Sequence, residues 1–297
     1  ATLEEALTAL SKVVPAYKNG GFTATINTLS GYVETSTFEF VGIDLGWIRI
    51  ASATGTITVN NSDSEQVFMR GKQGARLPEI QASIDIIGDG FSEAFYLEDG
   101  STLTYDGLTR TLSSVPRSGF TQTRAFFAIG GGTVDARNLA VDGFGSPLVA
   151  TGGGSVIDLS GGEITDCSTA LSSESGGVIH ANSIDVTDCD TTAIYGVDGF
   201  IYCSGMTLKG SKPNTGINVT NCVINARSSD LSGCASFGVL CFFGSKISLQ
   251  NTNARRGASD ALGDINVGSG SIISAGGSTG GLNVTANTIS ADGIIFK

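Results

Sequence analysis

The sequence is short of charge, histidine and long apolar runs. Its 297 residues hold 17 Lys and Arg, 28 Asp and Glu, five Pro, two Met, one His and one Trp. Each shortage excludes something. A single His leaves no Ser-His-Asp triad unless His180 is its centre, and it removes most His-based metal chemistry. No apolar run approaches the ~18 residues of a membrane-spanning helix. The formal charge of −11 and the lack of a Lys/Arg run argue against nucleic acid and anionic membranes as partners. There is no C-x-x-C, which argues against zinc. Gly130, Gly131 and Gly132 precede a strand and no Lys follows, so they are not a phosphate-binding loop. No cofactor or metal is expected.

What is present is glycine, 42 residues of it, with Ser, Thr and Asn between short Val/Ile runs. There is no G-x-y triplet, so the pattern is that of an all-β chain with many turns. The exception is the start. TLEEALTALSKVV pairs Thr2 with Glu5 as a capping box and puts Leu3, Ala6, Leu7, Leu10, Val13 and Val14 on one helical face, with Pro15 closing it. Such a helix suits a lid on the open end of a sheet stack. The chain opens at Ala1 without a basic-then-apolar leader, as a processed product or a fragment would.

The strongest signal is an internal repeat. TVDARNLAVDGF from Thr133, VIDLSGGEITDC from Val156, VIHANSIDVTDC from Val178 and VINARSSDLSGC from Val223 recur at 22 or 23 residues, with looser copies from Ile201 and Lys246. One column reads Val141, Ile164, Val186, Leu208, Leu231, Ala254, and another Phe144, Cys167, Cys189, Ser211, Cys234, Gly257. A small-then-apolar pair follows at Ala170-Leu171, Ala193-Ile194, Gly216-Ile217, Gly238-Val239 and Ala261-Leu262. A unit of this size has room for about three short strands and is too short for a propeller blade. A right-handed parallel β-helix is the expected fold, each repeat one coil, with equivalent side chains stacked ~4.8 Å apart. The expected organisation is a capping helix over 1–19, irregular coils with loops over 20–132, regular coils over 133–271, and a terminal coil with a trimer-forming end over 272–297. Gln66 to Pro78 and Thr109 to Thr123 read as protruding loops.

All six Cys lie between Cys167 and Cys241. Three share a column with Phe, Ser and Gly, which is what a space-filling position selects, so they read as reduced and buried. His180 and Cys203 are placed in one column with Asp158 and Asn225, where the His is expected to be structural.

Glycoside cleavage needs two carboxylates about 5 to 9.5 Å apart. Glu163, Asp185, Thr207 and Asp230 form one column, and Glu163 with Asp185 is the candidate catalytic pair. Asp166 and Asp188 form a second stacked pair, and stacked like charges raise one pKa. A solvated acidic face is the simpler reading of both. Exposed aromatics would recognise sugar, and Trp47, Tyr195 and Tyr202 are the candidates, with core or interface packing as the competing reading.

The opening EEALTALSKVVPAY followed by NGGFTATINTLSGYVE resembles the start of β-helical tail fibre and tailspike proteins of bacteriophages. The closing LNVTANTISADGIIFK is similar to the short C-terminal end of many such fibres. The resemblance implies a parallel homotrimer in the virion tail, bound to other tail proteins, assembled in bacterial cytoplasm, and recognising a bacterial surface polysaccharide or other receptor. Some members of the class are depolymerases and others only bind. Their catalytic carboxylates differ, so none transfers to this chain. The expected function is receptor recognition without catalysis. The alternative is a capsule or lipopolysaccharide depolymerase using Glu163 and Asp185. A pectate-lyase-like enzyme is disfavoured, since Arg255-Arg256 alone supplies neither calcium-binding Asp clusters nor a placed base.

Overall fold

The computed structural model describes residues 2–13, 23–60, 66–87, 91–114, 123–210, 213–253, 265–268, 270–278, 288–289 and 293–296. It is a parallel β-solenoid of about 10 turns with one short helix near the N-terminus. Among the described residues every paired strand is parallel to its neighbour, arranged in sheets of three, nine and seventeen strands.

Each regular coil shows three faces. The first is a three-residue strand of the nine-stranded sheet, such as Val156–Asp158, Val178–His180 and Phe200–Tyr202. The other two belong to the seventeen-stranded sheet. In two coils one long strand runs through both, Glu163–Glu174 and Asp185–Val197. Asp166 and Asp188 sit within these strands at φ of 49° and 54°. These left-handed residues divide the second face from the third.

The columns are stacked as the periodicity predicts. Val141, Ile164, Val186 and Leu208 are successive register partners, and so are Leu171, Ile194, Ile217 and Val239. Cys167 lies against Cys189, and all six Cys are buried free thiols. Burial pushes the Cys203 thiol up to about 12 and Cys241 up to about 11. Ser211, Ala254 and Gly257 lie outside the described residues. The last expected pair, Ala261-Leu262, also lies outside them, but the register corrects it. Val239 is followed by Ile265 and Lys246 by Ile272, so this coil is longer than the 22- or 23-residue coils before it and its apolar position falls after Leu262.

Three further expectations are corrected. Gln66 to Pro78 is not a protruding loop. Gln66–Lys72 is a strand paired with Phe38–Val41 and Phe91–Leu97, and Ala75 and Leu77 are buried in the turn after it. Likewise Thr111–Ser114 is a strand, and 115–122 lie outside the described residues. Tyr202, not Cys203, stacks between His180 and Asn225. Strand alternation turns Tyr202 outward and Cys203 into the core, where it is fully buried.

The core changes along the axis. Phe38, Phe40, Trp47, Phe68, Phe95, Tyr105, Phe126 and Phe144 are buried, and no buried aromatic among the described residues follows Phe144. The early coils are longer, with Phe38 on Met69 and Phe95 on Phe126. Phe95 stacks on Phe126 at 5.5 Å and meets Phe68 edge-on at 5.9 Å. The helix Leu3–Ser11 closes the N-terminal end, with the Thr2/Glu5 capping box formed and Leu3 and Leu7 in the core. Pro15 lies outside the described residues.

Candidate functional site

The second face carries the acidic columns. Glu163 and Asp185 are register partners, as the spacing predicts. They are not an isolated carboxylate pair, because Lys209 Nζ donates to Asp185 Oδ2 at 2.5 Å from the next coil. The perturbed acid is Asp166, whose carboxyl is raised by partial burial first and then by Asp142, Asp188 and Asp190. Among the described residues no group of three or more His, Cys, Asp or Glu is arranged to hold a metal ion.

The predicted aromatics separate. Trp47 is only 8% exposed and belongs to the core, a correction of its expected exposure. It sits among the aromatic side chains that fill the early coils. Tyr202 and Tyr195 are both partly exposed but lie on different faces. Tyr202 is on the first face, its ring stacked on His180 at 5.0 Å and 11°. The outward file there reads Asp135, Asp158, His180, Tyr202, Asn225, Ser248, Ser274. Beside it runs an apolar file through Val156, Val178, Phe200 and Val223, resuming at Ile272 and Ile294 after Lys246.

Tyr195 is on the third face, in an outward file with residues that the sequence reading missed. Register partners run Glu39, Arg70, Tyr96, Phe127, Val149, Ser172, Tyr195, Asn218. The rings of Tyr96 and Phe127 meet edge-to-face at 5.1 Å. Arg70 lies over Tyr96 with its guanidinium carbon 4.5 Å from the ring centroid, and Arg124 lies over Phe127 at 4.4 Å. Burial, more than the nearby Glu98, raises the Tyr96 hydroxyl above its usual value. The signal for these residues was present in FSEAFYL and RAFFAI, where Tyr96 and Phe127 directly follow the inward Phe95 and Phe126. Period-two alternation sends one ring of each pair outward. Phe127 and Tyr195 stand three coil steps apart, about 14 Å at ordinary strand spacing. Between them Val149 and Ser172 are buried, so the two rings are separate exposed positions.

Comparison with protein-family models, curated proteins and solved structures finds no match for this chain.

Proposed function

We propose that this chain is a receptor-recognising segment of a bacteriophage tail fibre or tailspike, and that its third face binds a bacterial surface polysaccharide without cleaving it. The observation that carries the reading is the single outward file of partly exposed rings, Tyr96, Phe127 and Tyr195, along the solenoid axis. Such a file offers apolar ring faces at intervals to an extended chain of sugars. Six buried free thiols suit assembly in a reducing bacterial cytoplasm and service in a virion tail. The first face, with its exposed apolar file, is the surface we assign to a parallel homotrimer.

The purified protein should bind host cells and isolated host glycan and release no oligosaccharide. Tyr195→Ala should weaken that binding several-fold while leaving thermal stability nearly unchanged. New reducing ends or unsaturated sugars in the digest would establish the depolymerase instead. If such activity survived in Asp185→Asn, it would not use the Glu163/Asp185 pair.

A further inference from the structure

Two of the six buried thiols are set against one another. Cys167 and Cys189 are register partners on adjacent coils, the one such pairing of cysteines among the described residues. The others have different neighbours. Cys241 stacks between Val219 and Val267. Cys203 follows Tyr202 as Ala181 follows His180 and Ala226 follows Asn225, so alanines flank it.

The geometry brings the pair within bonding reach. Register partners on parallel strands lie about 4.8 Å apart at Cα, inside the roughly 4.4 to 6.8 Å that a disulfide spans. Closing the bridge draws the Cβ atoms a little nearer than ideal stacking leaves them. The ladder has room to give here, because its register slips between Cys167 and Thr169, where the later coil holds one residue more. The Cys189 sulfur also points between the coils. Its Sγ lies 3.4 Å from the carbonyl oxygen of Ser168, the residue next to Cys167, and 3.4 Å from that of Thr192. A hydrogen bond between the two thiols lowers Cys189 below its usual value and raises Cys167, which makes Cys189 the first to react. Cys167 is 4% exposed and Cys189 1%, with Asp166 and Asp190 exposed beside them. The pair therefore lies one residue below the surface, and a small oxidant needs only a local opening of this corner to arrive.

We infer that Cys167 and Cys189 are an oxidisable pair that a peroxide closes to a disulfide, stapling one coil to the next. The Cys189 thiolate displaces hydroxide from hydrogen peroxide and becomes a sulfenic acid, and the proton it gave up converts that hydroxide to water. The Cys167 thiol then attacks the oxidised sulfur, forming the S–S bond and releasing a second water. A chain that folds with free thiols in a reducing compartment gains this staple once outside it.

The test treats the full, phosphine-reduced chain with hydrogen peroxide in native buffer. Remaining thiols are then blocked with iodoacetamide in urea, and peptides are mapped by mass after cleavage at Glu and Asp. Cuts at Glu174 and Asp198 separate Cys167, Cys189 and Cys203. The expected product is a peptide pair joined through Cys167 and Cys189, two hydrogens lighter than its parts and released by phosphine. Cys203, Cys222, Cys234 and Cys241 should all be recovered blocked. Cys167→Ser, its fold checked by circular dichroism, should leave Cys189 as a sulfenic acid that dimedone traps. In urea the preference for this pair should vanish, because the register that creates it is gone. Recovery of both cysteines blocked, bridging of either to another cysteine, or the same bridge in equal yield in urea would each overturn the inference.

Discussion

At the scale of single residues, position in the coil decides which side chain is tolerated. Ser175, Asp198, Asn221 and Phe243 occupy one corner in four successive coils, with φ between 51° and 57°. The left-handed conformation suits Asn and Asp, whose short polar side chains bond locally, and Asn221 Nδ2 donates to Asp198 Oδ1 at 2.5 Å. Phe243 has no such compensation and is 64% exposed. Phe243→Asn should therefore raise stability by about 1 kcal/mol, visible as a higher urea midpoint at unchanged slope. A lower midpoint would mean that its contact with Phe242 outweighs the backbone cost. Glycine answers the same demand at the opposite corner: Gly161 has φ +74°, and a Cβ there would lie 2.5 Å from Asn138 Oδ1. The inward Cys column was legible because a corner of fixed volume selects the same size repeatedly. The neighbouring column was misread by one residue, since YCS gives no hydropathy contrast strong enough to say that Tyr202 points out and Cys203 in. Trp47 was misread because a ring beside glycine resembles an exposed one when the width of its coil is unknown.

At the scale of elements, the capping helix was fully legible at its start, since Thr2 and Glu5 satisfy its first amides locally. Its anchor was not, because it is 29 residues away. The Leu3 amide donates to the Tyr32 hydroxyl at 2.9 Å, and that hydroxyl donates to Glu34 Oε2 at 2.5 Å. Burial, with the Glu34 bond second, pushes the Tyr32 hydroxyl from 10 up to about 12. The folded state thus holds this proton more tightly than the unfolded chain does. The resulting stabilisation is complete below pH 10 and is lost as pH rises from 10 to 12. Tyr32→Phe should cost about 1 kcal/mol at neutral pH through the lost hydrogen bonds. It should also show a shallower fall in melting temperature from pH 10 to 12 than the parent. Parallel falls in the two proteins would mean that Tyr32 does not anchor the cap. The strand Gln66–Lys72 went unseen for a related reason. Its sequence, QVFMRGK, carries Arg and Lys outward on a face that turned out to be structured, and long coils hide the period that exposed the later strands.

At the scale of the whole molecule, core composition changes along the axis from aromatic to aliphatic. The buried aromatic rings are confined to the coils up to Phe144, and in the later coils Ile, Val, Leu and Cys fill the core, in the 26-residue coil after Val239 as in those of 22 or 23. The fold was readable from the short coils alone, because only there does a fixed period lay like residues on like. The third-face site was not, because Arg70, Tyr96 and Phe127 come from the coils of uneven length. Stacking leaves the outward files free to differ, and the first face carries an apolar file beside a polar one. In the apolar file Phe200 is 38% exposed, and Phe296, which stacks on Ser274 at the end of the file beside it, is 56% exposed. If this face meets its copies about a threefold axis, light scattering should give about three times the chain mass of 30.3 kDa. Phe200→Asp combined with Phe296→Asp should then yield monomers, because an unpaired carboxylate in an apolar contact is costly to desolvate. Each coil touches only its neighbours, so these outward changes should leave the strand content of the monomer intact by circular dichroism. The contact is mainly apolar, so salt alone should not dissociate the parent. A parent protein that scatters as a single chain at micromolar concentration would rule out the trimer and leave the first face without its proposed partner.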